Sequence, residues 1–291
     1  MKTYIDCIPC FFKQAIEAAR LAGASRRTQR KIVNKIASYV HNISYGATPP
    51  EMGGLIYGTV CRFTKKKDPF RKIKEKSNRL ALKIYPALKN KVAHSRDRLL
   101  TAVELAIAGN IIDYWIKNTL NVDEEIKRIL NAEEKAIKKE RTRLFNFPEF
   151  KRLLKKAKTV FYIGDNTGEI VFDRILIEEI KNIYADKRIV FGVRGRPIIN
   201  DALEEDARRC GIDRIAEIVS SGQGIPGTKL ESCSGEFKKI FKQADMVISK
   251  GQGNFESLSD NRKKICYLFM AKCPVVAKDV NCSLGDIILL C

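Results

Sequence analysis

Histidine is nearly absent from this chain of 291 residues: His41 and His94 are too few for a histidine-rich metal centre, and both read as structural. No stretch approaches the roughly 18 uninterrupted apolar residues of a membrane span. The first residues, Met1-Lys2-Thr3-Tyr4-Ile5-Asp6-Cys7, lack the apolar core of a signal peptide. The expectation is therefore a soluble, cytoplasmic protein with no membrane partner. Internal repeats and low-complexity tails are lacking too. So is a second CxxC, which deprives Cys7-Ile8-Pro9-Cys10 of the four soft ligands of a structural zinc site. A redox role, a second-metal role and a plain structural role for Cys7 and Cys10 all stay open. Nine cysteines, an odd count spread over a long chain, fit reduced thiols better than a disulfide scaffold.

What is present is charge and a long alternation of apolar and polar segments. The formal net charge is +20, and between Arg62 and Lys91 twelve Lys/Arg face only Asp68 and Glu75. Such a field attracts anions, either nucleic acid or phosphorylated metabolites, though a lysine-rich solvated surface explains it equally. Phe63, Phe70 and Tyr85 within that stretch are spaced like helix core, not like stacking platforms, which argues against nucleic acid. Hydrophobic residues make up 45% of the chain, enough for a sizeable globular core.

Residues 1 to about 155 read as a helical N-terminal domain, with helices over Cys10–Leu21, Arg26–Tyr45, Arg71–Tyr85, Arg98–Ile116 and Asp123–Phe145. Ala47-Thr48-Pro49-Pro50 and Asp68-Pro69 read as breakers. From 156 to 291 the pattern becomes strand, polar loop, helix. The strands are expected at Thr159–Ile163, Arg188–Val193, Arg214–Val219, Asp245–Ser249, Cys273–Ala277 and Gly285–Leu290. The last two are separated by a short link and should pair antiparallel. The fold class is thus α/β: a helical part against a three-layer sheet, mostly parallel, with an antiparallel last strand.

In such folds ligands bind beyond the carboxyl ends of the strands, where four glycine-framed loops converge. Gly164-Asp165-Asn166-Thr167-Gly168-Glu169 offers glycine N–H groups suited to phosphate beside a carboxylate that would repel it. Asp165 makes sense there if a divalent cation lies between, since Asp, Asn and water are hard oxygen ligands; a plain helix cap by Asp165 or Asn166 is the alternative. Arg194-Gly195-Arg196 leads to Asn200-Asp201, a further carboxylate at the same edge. Lys250-Gly251-Gln252-Gly253-Asn254 brings a cation and glycines that permit close approach, with Asn254 and Glu256 as donor or orienting acid. Two other motifs fail on context. Gly222-Gln223-Gly224-Ile225-Pro226-Gly227 follows the third strand and has no acid at the next strand end, so it does not bind a dinucleotide. Gly227-Thr228-Lys229 reverses the order a P-loop requires.

Six segments in order resemble the damage-control phosphatase family, long catalogued as a family of unknown function. They are Asp6-Cys7-Ile8-Pro9-Cys10 with Gln14, Ala106 to Asp113, Gly164 to Glu169, Arg194 to Asp201, Lys250 to Glu256, and Cys273 to Val280. The CxxC resembles the archaeal and bacterial branch. Two places depart from the pattern: Asn281-Cys282 in the last hairpin and Ala202-Leu203 after Asp201.

The resemblance implies a Rossmann-like domain and a metal-dependent phosphomonoester hydrolase acting on a small phosphorylated metabolite: a sugar phosphate, a nucleotide or a phosphopantetheine-like molecule. It implies manganese, magnesium, cobalt or nickel as cofactor, held by Asp165, Asn166 and Asp201. Asp165 and Lys250 would be catalytic, Asp165 either beside an attacking water or as the nucleophile itself, with Lys250 on the phosphate. Gly164, Gly168, Glu169, Arg194, Gly251 and Asn254 would complete the phosphate and substrate contacts. Asn110 and Asp113 would shape the pocket or form a buried polar pair. A homo-oligomer stays open, as do the alternatives of a nucleic-acid-binding protein and a methyltransferase-like enzyme.

Overall fold

The computed structural model describes residues 1–44, 46–109 and 144–291. The helix expected over Asp123–Phe145, the end of Arg98–Ile116, and Asn110 and Asp113 lie outside the described residues, apart from Leu144 and Phe145. No described helix is long and apolar enough to cross a membrane.

The helical part opens with α1 (Ile8–Leu21), α2 (Arg26–His41) and α3 (Pro49–Thr64). Pro49-Pro50 starts α3 and does not break it: proline costs nothing in a first turn, where its missing N–H has no partner. The Thr48 N–H is met by Glu51 Oε2 at 2.8 Å, which fixes the helix start. These three helices share a core built on Phe11, Ile32, Ile36, Ile56 and Val60, and Ile198 from a sheet loop enters it. Helices α4 (Arg71–Ala93) and α5 (Arg98–Ala108) behave differently: Leu80, Ile84, Leu99 and Val103 belong to the core of the sheet itself.

The remaining elements are α6 (Phe147–Lys156), β1 (Thr159–Ile163), α7 (Glu169–Ile183), β2 (Arg188–Val193), α8 (Glu204–Arg209), β3 (Glu217–Ser220), α9 (Gly235–Gln243), β4 (Met246–Lys250), α10 (Gln252–Leu258), β5 (Ile265–Met270), α11 (Pro274–Val280) and β6 (Ile287–Leu290). The sheet order is β3-β2-β1-β4-β5-β6, parallel except for the antiparallel β5–β6 pair. Tyr162, Phe191, Ile248 and Leu268 point to one face under α7, α4 and α5. Phe161, Val190, Val247 and Phe269 point to the other, with Phe237 of α9, Phe255 of α10 and Val276 of α11. Both faces are covered, which is why these strands read as continuous apolar runs. The chain leaves β1 toward β2 and leaves β4 toward β5, so a crevice opens between the ends of β1 and β4, where Ile163 pairs with Ser249.

One strand expectation is corrected. Cys273–Ala277 forms the start of α11, because Pro274 suits a helical first turn and has no N–H for a ladder. The strand beside β6 is Ile265–Met270, a buried Ile-Cys-Tyr-Leu-Phe-Met run. The antiparallel register sets Tyr267 opposite Leu290, and a disulfide joins the neighbouring Cys266 and Cys291. The expectation of nine reduced thiols therefore fails for this pair, which strand pairing brings face to face.

Phe191 fills the space against Gly164, whose added Cβ would meet its ring at 2.6 Å, and stacks on Tyr162 at 5.4 Å between centroids. Phe191→Ala should lower the unfolding free energy by about 3–5 kcal/mol, read from the urea midpoint at unchanged slope.

Candidate active site

The loops after four parallel strands meet at Arg194, which is 2% exposed. Its Nε donates to Asp201 Oδ2 at 2.6 Å, Nη1 to Thr228 Oγ1 at 3.1 Å and Nη2 to Asn254 Oδ1 at 3.0 Å. Nη2 also lies 3.5 Å from Asp165 Oδ1. Asp165 follows β1, Arg194 and Asp201 follow β2, Thr228 follows β3 and Asn254 follows β4. Asn166 and Asp201 form a β-bridge, and the Ala202 N–H donates to the Asp165 carbonyl at 2.8 Å. Backbone pairing thus holds Asp165, Asn166 and Asp201 in one place. Ile199, just before them, has φ of 42°, a left-handed conformation unusual for a β-branched residue and a sign of local constraint.

Asn166 Nδ2 donates to Asp165 Oδ2 at 3.0 Å and to Glu169 Oε2 at 3.3 Å, so the amide oxygen is the atom not spent on the carboxylates. On the far side of Glu169 sits Lys250. Its ammonium is fully buried and donates to Glu169 Oε1 at 2.7 Å and Asp173 Oδ1 at 2.6 Å. Tyr162 also donates to Asp173 Oδ1, at 2.8 Å, while Asp173 Oδ2 is buried without a partner. Burial pushes the Asp173 carboxyl up to about 6, with Lys250 opposing and Glu169 adding to the rise. Burial likewise raises Asp201 against the pull of Arg194. For Lys250, burial would lower the ammonium, but Asp173 and Glu169 outweigh it and the group titrates above its usual range.

The expected residues fall into three groups. Asp165, Asn166, Asp201, Arg194 and Asn254 come together. Gly251 packs against them, with φ of 83°, and a Cβ there would sit 1.9 Å from Asp165 Oδ2. Gly164 supports them: its carbonyl accepts from Asn254 Nδ2 at 3.2 Å. Lys250 and Glu169 differ from expectation, because they pair with one another beneath the site and do not line its mouth. Gly168 differs too, since Asn78 Oδ1 of α4 already accepts its N–H at 2.8 Å.

Asp173, Thr228 and Asn78 were not singled out from the sequence. Asp173 had a usable signal: four residues after Glu169, it is a second carboxylate on the same face of the helix, flanked by apolar residues in its first turns. Asn78 had none.

Beside this cluster lies a cavity of about 200 Å³ containing Cys7, Cys10 and, unforeseen, Cys273. Gln14 Nε2 donates to Cys10 Sγ at 3.3 Å. Cys7 is buried and Cys10 exposed, and burial pushes the Cys7 thiol up. Glu256 lines the same cavity, and burial pushes its carboxyl up to about 7.

Compared with known proteins, the damage-control phosphatase ARMT1-like domain matches residues 3–288. An uncharacterized protein of Methanocaldococcus jannaschii is 37% identical over 98% of this chain and 94% of its own length. A damage-control phosphatase of Pyrococcus horikoshii is 33% identical over 100% of this chain and 98% of its own. The crystal structure of a DUF89 family protein from the same organism superposes with a TM-score of 0.89 at 31% identity, covering 100% of this chain and 99% of that one.

Two outcomes follow from these environments. Gly251→Ala should cost about 1–3 kcal/mol of stability, because alanine disfavours the backbone angles and its methyl displaces Asp165; urea unfolding measures it. Glu256 has a folded pKa above its ordinary 4.5, so its contribution to stability is fully present below that value and is lost as pH rises to about 7. Glu256→Gln should therefore gain about 1–3 kcal/mol relative to the parent between about pH 5 and about pH 8, read from paired urea titrations.

Proposed function

The chain belongs to the damage-control phosphatase ARMT1-like family, and from that premise we propose that it hydrolyses a phosphomonoester of a small metabolite with a divalent cation as cofactor. The observation that carries this reading is the convergence of Asp165, Asn166 and Asp201 at the ends of β1 and β2, held by one arginine.

The donor set fits a hard divalent ion. Among the described residues no three His, Cys, Asp or Glu side chains are grouped to hold a metal, so two carboxylates and the Asn166 amide oxygen would make the protein's share. Magnesium-class ions accept one or two carboxylates and complete their shell with water and phosphate oxygens. Charge supports the same conclusion. Asp165 and Asp201 gather beside Arg194, and Glu169 and Asp173 beside Lys250, which concentrates four carboxylates in one buried place.

Asp165, Asn166 and Asp201 would hold the cation, which when bound supplies Lewis-acid polarisation of the phosphoryl group and a more acidic water. Asp165 aligns the attacking water and takes up its proton. The water oxygen bonds to phosphorus as the P–O bond to the leaving oxygen breaks, and one proton ends on the leaving alcohol. Arg194 fixes the separation of the two acids and offsets charge gathering on the equatorial oxygens. Lys250 acts one step back, through Glu169, to keep the Asn166 amide turned with its nitrogen toward the acids. It is a positioning residue in this reading.

Metal-stripped protein should release no phosphate from a chromogenic phosphomonoester, and adding manganese, magnesium, cobalt or nickel should restore release. Asp165→Ala should lower kcat/KM by about a thousandfold with its far-ultraviolet spectrum unchanged. Full activity in that variant, or in the metal-free protein, would sink the assignment.

A further inference from the structure

The cavity between α1, α3 and the start of α10 plays no part in the chemistry above, yet two of its lining residues are close neighbours along the chain of residues in the site. Ile199, which lines it, immediately precedes Asn200 and Asp201, and Gln252 immediately follows the glycine packed on Asp165. Apolar walls come from Phe11, Pro50, Ile199 and Pro226, and the polar groups are acids, amides and thiols.

Among the described residues, no lysine, arginine or histidine lines this cavity, in a chain with a formal net charge of +20. The ammonium of Met1 is already engaged, by the Glu256 carbonyl at 3.1 Å, Ser259 Oγ at 2.8 Å and Asp260 at 3.2 Å. The Glu256 side chain, 8% exposed, is held by Gln252 Nε2 at 2.8 Å, and burial keeps its carboxyl near 7.

We propose that this cavity seats the leaving alcohol of the substrate, and that Glu256 selects a small alcohol carrying no second anionic group. The proposal rests on the phosphatase reading. A carboxylate or second phosphate on the leaving group would lose its hydration against apolar walls and face the acids Glu256 and Asp6, while the Met1 ammonium is already held by Ser259 and Asp260. Hydroxyls or an amine would find acceptors there. Rejection of the wrong substrate by an unpaired charge is how a site with few contacts discriminates. The volume, about 200 Å³, lies below the roughly 300–1,000 Å³ of sites for drug-sized ligands, which also points to a small leaving group.

The test compares metal-loaded protein on esters of similar size. Glycerol phosphate and ethanolamine phosphate release uncharged or cationic alcohols; phosphoglycerate and glycerol bisphosphate release anionic ones. kcat/KM should favour the first pair by at least about tenfold, and Glu256→Gln should narrow that ratio several-fold while Glu256→Lys reverses it. A second readout needs no turnover: alkylation of Cys10, mapped by mass spectrometry, should be slowed by glycerol phosphate and left unchanged by phosphoglycerate. Equal rates on both pairs would overturn the proposal, as would a ratio unmoved by Glu256→Gln. So would a ratio that moves instead with Arg196→Gln, since Arg196 lines a separate cavity of about 580 Å³. If no ester is hydrolysed at all, the phosphatase reading fails on its own, and the Cys10 protection pattern still decides what the cavity accepts.

Discussion

Arg194 is a charged side chain placed where water cannot reach it, and burying an unpaired guanidinium would cost several kcal/mol. Its planar fork of donors can be satisfied only if partners arrive from several directions at once. Here they arrive from the loops after β1, β2, β3 and β4, as Asp165, Asp201, Thr228 and Asn254. Each loop carries glycine. The guanidinium substitutes for a hydrophobic core at the sheet edge. The two acids are therefore held at a set separation by the same group that partly neutralises them.

A second buried cation does the same work one layer down. Lys250 at the end of β4 joins Glu169 and Asp173, four residues apart on α7, and so locks the first turns of that helix to the neighbouring strand. Glu169 passes the constraint to Asn166, and Asn166 to Asp165. Burial displaces the carboxyls of Asp173 and Asp201 upward, against the pull of Lys250 on the first and of Arg194 and Lys74 on the second. The apolar side chains of Phe191, Phe161 and Ile248 around the cluster are fully buried and supply the packing on which these polar groups stand.

Much of this was legible in the sequence, for identifiable reasons. Glycine-framed polar loops after apolar runs have few alternative explanations, so Asp165, Asn166, Arg194, Asp201 and Asn254 stood out. Direction was harder to read. The sequence offers a lysine at 250 and cannot say whether it faces solvent or Asp173; that depends on a helix packing across the crevice. Short apolar runs misled as well: Cys273–Ala277 and Ile265–Met270 look equally strand-like until Pro274 is weighed as a helix start. Thr228, Asn78 and Cys273 reach their places only through tertiary packing, and no local spacing marks them.

The hydrogen bond from Gly168 to Asn78 has a bearing on how such a protein can be taken apart. Asn78 belongs to α4, and it bridges the first turn of α7 to Asp206 at 2.9 Å, while Lys74, one turn earlier, pairs with Asp206 at 3.2 Å. The helical segment is thus a structural component of the candidate site's edge and not a removable lid. A sheet half expressed alone would begin with an uncapped helix at the very loop that carries its acids. Recombination between relatives would have to exchange α4 and α7 as a matched pair, so these two elements, distant in the chain, form one heritable unit.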